Sequence, residues 1–549
     1  MPTRRAVLAR AVLGISLSGP LAGAALAAPA KSTDRLSVTA TTHRGKVRGV
    51  IADGIRVFKG IPYAAVTDGN NRFRAPRPAP AWTGVRDALA FAPMCPQLPS
   101  RGRASITGSW TYETDMGEDC LALNIWTPGL RDQRKRPVMV WFHGGGFSSL
   151  SGSRNVFDGT RLCQRGDVVV VTLNHRLNVF GHLYLAQLGG AEFAESGNTG
   201  LLDLIAALRW INATIVEFGG DPGNVTIFGQ SGGGAKVSTL MAMPQARGLF
   251  HRAIVQSGSH LDALTPEEAT KHAATLLTAL DIKPADIPKL RTLPVDRVLA
   301  ALTRVMTAPG GTQPAVRPNF GPVVDGHALP RHPWSPDGPA VSASVPLLVG
   351  TTGTETTALL GATDPALFTL PDAGLRQRLA PWIPDRDLDR VIAGYRRIMP
   401  GASAADLFFA ITTARRVRQQ AWAQAERKAA QGGAPVWLYE LDWPTPVEGG
   451  KWRSPHSLDL AFVFDNVAKS EAMVGPARDA QPLADQMSAA WLAFARSGNP
   501  HAGRQPAWPA FRPQDRATMV FDGKQRVVED HRKEERTLLA ALPPYRVSR

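Results

Sequence analysis

The 549-residue sequence contains only three cysteines, and none has the spacing of a metal ligand, which rules out a disulfide-dense scaffold and a cysteine-built metal centre. In an oxidising compartment Cys95 and Cys120 could close one modest loop. Cys163, just before the apolar run Val168 to Val171, reads as a small buried hydrophobe rather than a reactive thiol. Beyond the first thirty residues no apolar stretch is long enough to span a bilayer, so stable membrane insertion is not expected. There is no repeat and no low-complexity linker, and residues 31–549 read as one large domain with insertions. Acidic residues are in deficit, 46 against 62 Lys and Arg, for a net charge of +16. The basic residues are scattered, densest at Arg131 to Arg136, with no stripe of interleaved aromatics, so a nucleic-acid partner is not expected.

What is present begins with an N-terminal segment that does not belong to a fold. Arg4 and Arg5 precede an apolar stretch that runs into Ala24-Ala25-Leu26-Ala27-Ala28-Pro29-Ala30, the layout of a signal peptide over residues 1–30. Thr3-Arg4-Arg5 followed by Ala6-Val7-Leu8 fits a twin-arginine signal, with an ordinary secretory signal as the alternative. The chain is therefore expected to be exported to a periplasmic or extracellular location, and loss of this segment removes three positive charges.

With 44% hydrophobic and 20% charged residues, the remainder can bury a large core. Short, nearly all-apolar runs recur at Val138 to Phe142, Val168 to Leu173, Val225 to Phe228, Ala253 to Val255, Pro346 to Val349 and Val436 to Tyr439. Strands apolar on both sides imply a sheet covered on both faces. Helical periodicity separates them, clearest from Leu201 to Ile215, so the expected class is α/β with a largely parallel sheet flanked by helices. Thr265-Pro266-Glu267-Glu268 and Ser403-Ala404-Ala405-Asp406 are helix starts with an acid at the third helical position. They fall in long insertions, about 260–320 and 360–430, expected to pack over the sheet and shape a substrate entrance.

The run Gly229-Gln230-Ser231-Gly232-Gly233 follows the strand Val225 to Phe228 and opens a small-residue helix. A sharp strand-to-helix turn there lifts the serine oxygen above the sheet, and the flanking glycines permit the turn. A phosphate loop is the competing reading, but Ala235 separates the last glycine from Lys236 and no Ser or Thr follows. A serine hydroxyl needs a histidine base oriented by a carboxylate, supplied in this architecture in the order Ser, acid, His. Glu355, five residues past Gly350 at the end of a strand, is favoured as the acid. Asp325 competes, although Asp325-Gly326 reads better as a turn. Only His456, His501 and His531 follow Glu355. His501 sits in a turn-like segment and His531 in a charged tail, whereas His456 precedes the apolar segment Leu460 to Phe464.

Acyl transfer also needs donors for a tetrahedral oxyanion. His143-Gly144-Gly145-Gly146-Phe147 follows a strand, and the N–H groups of Gly145 and Gly146 with that of Gly232 would make a three-donor hole.

Assembled, these motifs resemble the type B carboxylesterases, the cholinesterase-like branch of the α/β-hydrolase fold. The likeness includes Gly117 to Trp126, Gly144 to Gly146, Gly197 to Asp203, Phe218 to Pro222, Gln256 to Ser259, Pro322 to Gly326, Gly350 to Glu355, His456 to Asp459, Ser497 to Pro500 and Trp508-Pro509. It spans roughly residues 40 to 530. The resemblance implies a triad of Ser231, Glu355 and His456, an oxyanion hole of Gly145, Gly146 and Gly232, and a disulfide between Cys95 and Cys120. Two positions depart from many relatives: Gln230 stands where they carry glutamate, and Gly232 where they carry alanine. The expected activity is hydrolysis of small-molecule carboxylic esters through an acyl-enzyme, with no metal or organic cofactor required. Neutral aryl or short-chain alkyl esters are the first expectation. Anionic polycarboxylate esters, such as the tricarballylate side chains of fumonisin-type toxins, are the alternative that the basic charge suggests, and a lipase is a third. The family also includes non-catalytic adhesion proteins that have lost the serine, and the intact triad argues against that role.

Overall fold

The computed structural model describes residues 37–99, 105–111, 114–307, 318–503 and 505–545. The expected signal peptide lies outside the described residues.

Thirteen strands of the described residues join one sheet: β1 (Ser37–Thr42), β2 (Gly45–Ala52), β3 (Ile55–Pro62), β4 (Val85–Asp87), β5 (Ala122–Thr127), β6 (Arg136–Phe142), β7 (Val169–Leu173), β8 (Gly220–Gln230), β9 (Arg252–Gln256), β10 (Leu347–Thr352), β11 (Val436–Leu441), β12 (Thr518–Phe521) and β13 (Arg526–Val528). Their order is β1-β2-β3-β5-β7-β6-β8-β9-β10-β11-β12-β13, with β4 beside β2. From β7 through β12 every neighbouring pair is parallel; β1, β2, β3, β5 and β7 pair antiparallel, as do β12 and β13.

The apolar runs form strands because both of their faces are covered. Along β6, Val138, Val140 and Phe142 enter one core while Met139 and Trp141 enter the other. β11 divides the same way, Val436 and Leu438 against Trp437, Tyr439 and Leu441. Period-two alternation thus sends neighbouring residues to opposite layers. The first core is closed by the helices Thr199–Thr214, Pro266–Leu280 and Val295–Thr307, the second by Asp459–Val463 and Ala477–Ser497. A third cluster unites the helices Asp372–Leu379, Asp385–Ile398 and Ala404–Thr413 with the C-terminal helix Lys533–Leu539.

Both helix starts carry complete capping boxes. Thr265 Oγ1 accepts from Glu268 N while Glu268 returns a bond to Thr265 N, and Ser403 with Asp406 repeats the arrangement. Each satisfies two otherwise orphaned N–H groups. The two insertions are accordingly helical, as their signals indicate.

Candidate active site

The candidate residues follow the C-terminal ends of parallel strands of the one sheet, where this kind of sheet presents its ligands. Ser231 follows β8, the glycine loop follows β6, Glu355 follows β10, and His456 lies in the loop beyond β11.

At the elbow Ser231 has φ 57° and ψ −125°, outside the regions a side chain ordinarily favours. The turn is held by Ser231 N donating to Gln256 O at 2.8 Å and Ala235 N donating to Ser231 O at 3.0 Å. Glycines are required around it by close approach. A Cβ on Gly233 would overlap the Phe142 carbonyl, and one on Gly232 would overlap the backbone N, Cα and O of Gly146. Elbow and glycine loop therefore touch backbone to backbone.

In the loop, Gly145 and Gly146 adopt φ of 82° and 63°. The Gly145 carbonyl accepts from the amides of Ser148 and Ser149 at 3.2 and 3.1 Å. His143 Nδ1 donates to the Gly144 carbonyl at 3.0 Å, which fixes the proton on that nitrogen because a carbonyl only accepts. Among the described residues, the N–H groups of Gly145 and Gly146 meet no protein acceptor, and Gly232 opens the helix Gly232–Leu240, where N–H groups have no intrahelical partner.

Glu355 is fully buried at the first position of the helix Glu355–Leu359. Its Oε1 accepts from Thr352 N at 2.8 Å and its Oε2 pairs with His456 Nδ1. The next residue is anchored as well, Thr356 Oγ1 meeting Thr412 Oγ1 at 2.8 Å. With Nδ1–H given to Glu355, His456 Nε2 is left as an acceptor. Gln230 Nε2 lies 3.1 Å from it, and Gln230 Oε1 accepts from Ser457 Oγ at 3.1 Å, which orients the amide. The Ser231 hydroxyl makes no hydrogen bond to His456; the amide of its own neighbour occupies that nitrogen.

The rejected alternatives lie elsewhere. Asp325 is a turn residue, accepting from the amides of His327 and Leu329 and from Asn198 Nδ2. His501 is exposed and His531 stands by Glu440. The Cys95–Cys120 bond that the resemblance implies is not formed in this structure, where both carry free, buried thiols. Cys120 is hydrogen-bonded to Cys95, which with burial pushes its thiol pKa up, and Cys95 Sγ also accepts from Leu177 N at 3.2 Å. Cys163 donates to the Trp126 carbonyl and is made less acidic by burial, so it is the inert thiol its context indicates.

Three residues near this site escaped the sequence reading of function. Asp459 is buried, with Oδ2 accepting from Gln256 Nε2 at 2.8 Å and the Tyr439 hydroxyl at 3.1 Å, while Oδ1 has no partner. Burial, with the nearby Glu355 adding to it, raises its pKa to about 6. Lys236 is buried one turn into the elbow helix. Arg416 lies in the π-helical turn Ala414–Arg418, where burial lowers its pKa and Tyr545 and Glu355 oppose that effect; it forms no ion pair among the described residues. A lone lysine on a small-residue helix was a legible signal; the other two depend on tertiary neighbours.

A family model described as the carboxylesterase family matches residues 36–373 and 399–539. The para-nitrobenzyl esterase of Bacillus subtilis (strain 168) is 35% identical over 511 residues, covering 91% of this chain and 98% of that one. A fumonisin B1 esterase of Sphingopyxis macrogoltabida is 33% identical, covering 89% of this chain and 87% of its own. Among solved structures, the carboxylesterase EST55 of Geobacillus stearothermophilus superposes with a TM-score of 0.79 at 38% identity, over 91% of this chain and 99% of that one. With likeness extending from the first sheet strand to the C-terminal helix, the chain belongs to the carboxylesterase family, the α/β-hydrolases that cleave carboxylic esters.

Proposed function

We propose that this protein hydrolyses small neutral carboxylic esters with Ser231 as nucleophile, His456 as general base and acid, and Glu355 as the group that orients the imidazole. The observation that carries the reading is the buried Glu355–His456 pair beside a serine held at φ 57° within reach of the glycine loop. Substrate entry displaces the Gln230 amide from His456 Nε2, and Ser231 Oγ takes its place. The hydroxyl oxygen attacks the ester carbonyl as its proton passes to Nε2, and the N–H groups of Gly145, Gly146 and Gly232 receive the oxyanion. Collapse breaks the bond to the alkoxy oxygen, which leaves as alcohol with the proton from His456. Water repeats the sequence on the acyl-enzyme, with Glu355 ionised throughout.

Ser231→Ala tests this directly. Turnover of a p-nitrophenyl ester falls by about 10⁴ or more while the far-UV spectrum and melting temperature are kept. A folded variant retaining most of its turnover removes Ser231 from the mechanism.

Arg416 favours a second reading, hydrolysis of anionic esters, because its half-buried guanidinium, within electrostatic reach of Glu355 and without an ion-pair partner among the described residues, can receive a substrate carboxylate. Rates for neutral and polycarboxylate esters at low and high salt separate the readings. A salt-sensitive preference for the anionic esters, lost in Arg416→Met, favours the second; equal, salt-insensitive rates favour the first.

We further propose export directed by residues 1–30, tested by cell fractionation and by replacing Arg4 and Arg5 with lysine. In an oxidising compartment the adjacent Cys95 and Cys120 thiols are poised to join, and thiol titration of the unfolded, exported chain would then find one free thiol instead of three.

A further inference from the structure

Lys236 is a cost to the fold unless it does something. Its side chain is fully buried, forms no ion pair with a carboxylate among the described residues, and lies among aromatic rings. Phe147 lies 5.8 Å from Nζ. Its ring packs against those of His182 and His260, with centroids 5.3 and 5.5 Å away. The rings of His143 and His175 lie tilted against each other with centroids 4.7 Å apart, and burial with the Lys236 charge holds both well below the usual imidazole pKa. Burial alone brings the Lys236 ammonium down to about 7. An apolar side chain of the same length would avoid that desolvation penalty.

Among the described residues the lysine makes one hydrogen bond, Nζ donating to the His143 carbonyl at 2.9 Å. That carbonyl belongs to the last residue before the glycine loop, and Lys236 itself stands four residues after Gly232 on the elbow helix. One hydrogen bond thereby ties the element carrying one proposed oxyanion donor to the segment carrying the other two. The carbonyls behind the loop are occupied in succession: His143 O by Lys236, Gly144 O by His143 Nδ1–H, and Gly145 O by the amides of Ser148 and Ser149. The second and third belong to the peptide units whose N–H groups are those of Gly145 and Gly146. A hydrogen bond accepted by a peptide carbonyl polarises the N–H of the same unit, so this chain both fixes and strengthens the donors.

We propose that Lys236 is a positioning residue for the oxyanion hole: by clamping the His143 carbonyl it sets the spacing between the glycine loop and the elbow helix, so that three N–H groups converge on one oxygen. The clamp works in either protonation state, because ammonium and amine both donate. The proposal rests on the assignment of Ser231, Gly145, Gly146 and Gly232 made above.

The test uses the full chain as wild type, Lys236→Met and Lys236→Gln. It measures kcat and KM for p-nitrophenyl acetate, and the affinity for a trifluoromethyl ketone, which forms a tetrahedral adduct on the serine. Lys236→Met is expected to lose about thirtyfold to a hundredfold in kcat with KM within about threefold, and to bind the ketone more weakly by the same factor as kcat/KM. Lys236→Gln, which retains an N–H donor, recovers most of both. A folded Met variant with kcat near wild type, or one whose turnover falls while ketone affinity is unchanged, overturns the proposal. Should Lys236→Met fail to fold, Lys236→Ala with added propylammonium replaces it: restored turnover supports the clamp, and turnover that stays low overturns it. Labelling of wild-type Ser231 by a fluorophosphonate, read by peptide mass spectrometry, separates the two layers. With Ser231 labelled, a negative Lys236 result sinks only the clamp; without labelling, the assignment of the site itself falls.

Discussion

Gln230 and His456 are joined by a hydrogen bond in which the amide nitrogen of one lies 3.1 Å from Nε2 of the other. The bond takes the lone pair that a general base must keep for its substrate proton, so the resting imidazole is held in place but occupied.

Gln230→Glu exchanges that amide for a carboxylate. A carboxylate against Nε2 stabilises the imidazolium, so the acid limb of the kcat/KM profile moves to higher pH than in wild type. Because the base is active when neutral, the variant loses activity earlier as pH falls and approaches wild type at alkaline pH. A full pH–rate profile checks this, and an acid limb that does not move refutes it.

Gly232→Ala puts a methyl group onto the backbone of Gly146. Since neither partner is a flexible side chain, the glycine loop must retreat, and at least one N–H leaves its place at the oxyanion. Turnover is expected to fall about tenfold or more with the fold intact. Wild-type kcat in a folded Ala variant would mean that the loop yields at no cost.

Asp459 gives a pH-dependent stability. Its native pKa, raised to about 6, means that the folded state binds its proton more tightly than the unfolded chain does. Its ionisation costs nothing below the ordinary carboxylate range, destabilises increasingly as pH rises to about 6, and costs a constant amount above that. Asp459→Asn retains an acceptor for Gln256 and Tyr439 and removes the charge. It is expected to be more stable than wild type at pH 8, on the order of 2 kcal/mol, with the advantage vanishing near pH 4. Urea unfolding at both pH values measures it, and equal stability at pH 8 contradicts it.

The parallel half of the sheet was legible because its strands are apolar on both faces: Val138 to Phe142 lies within β6 and Val436 to Tyr439 within β11. The antiparallel strands were not. β2, Gly45–Ala52, interleaves Lys46 and Arg48 with Val47, and β3 carries Arg56 and Lys59 among its apolar residues, so neither stands out as an apolar run. The capping boxes at Thr265 and Ser403 were readable because four consecutive residues contain their whole chemistry. The sharp turn at Ser231 was readable for the same reason, and chain order pointed to Glu355 and His456 as candidate partners, which the fold brings into contact. Gln230 meeting His456 could not be read, because it joins residues 226 positions apart through side-chain conformations that no local pattern encodes. The cysteines show the converse. The resemblance implies a bond, and the fold supplies the proximity with the two thiols unjoined in this structure.

The overlap that any Cβ at 232 would make with Gly146, and any at 233 with Phe142, also limits how this enzyme can be recombined. Residues 142–146 and 229–233 are mutually templated, although some eighty positions of chain separate them. A chimera with its crossover between them inherits one half of the interlock from each parent, and a parent with alanine after its serine brings a methyl group into a loop that has no room for it. Breakpoints before β6 or beyond the elbow helix keep the two halves together, and those are where shuffled libraries of this chain should retain function.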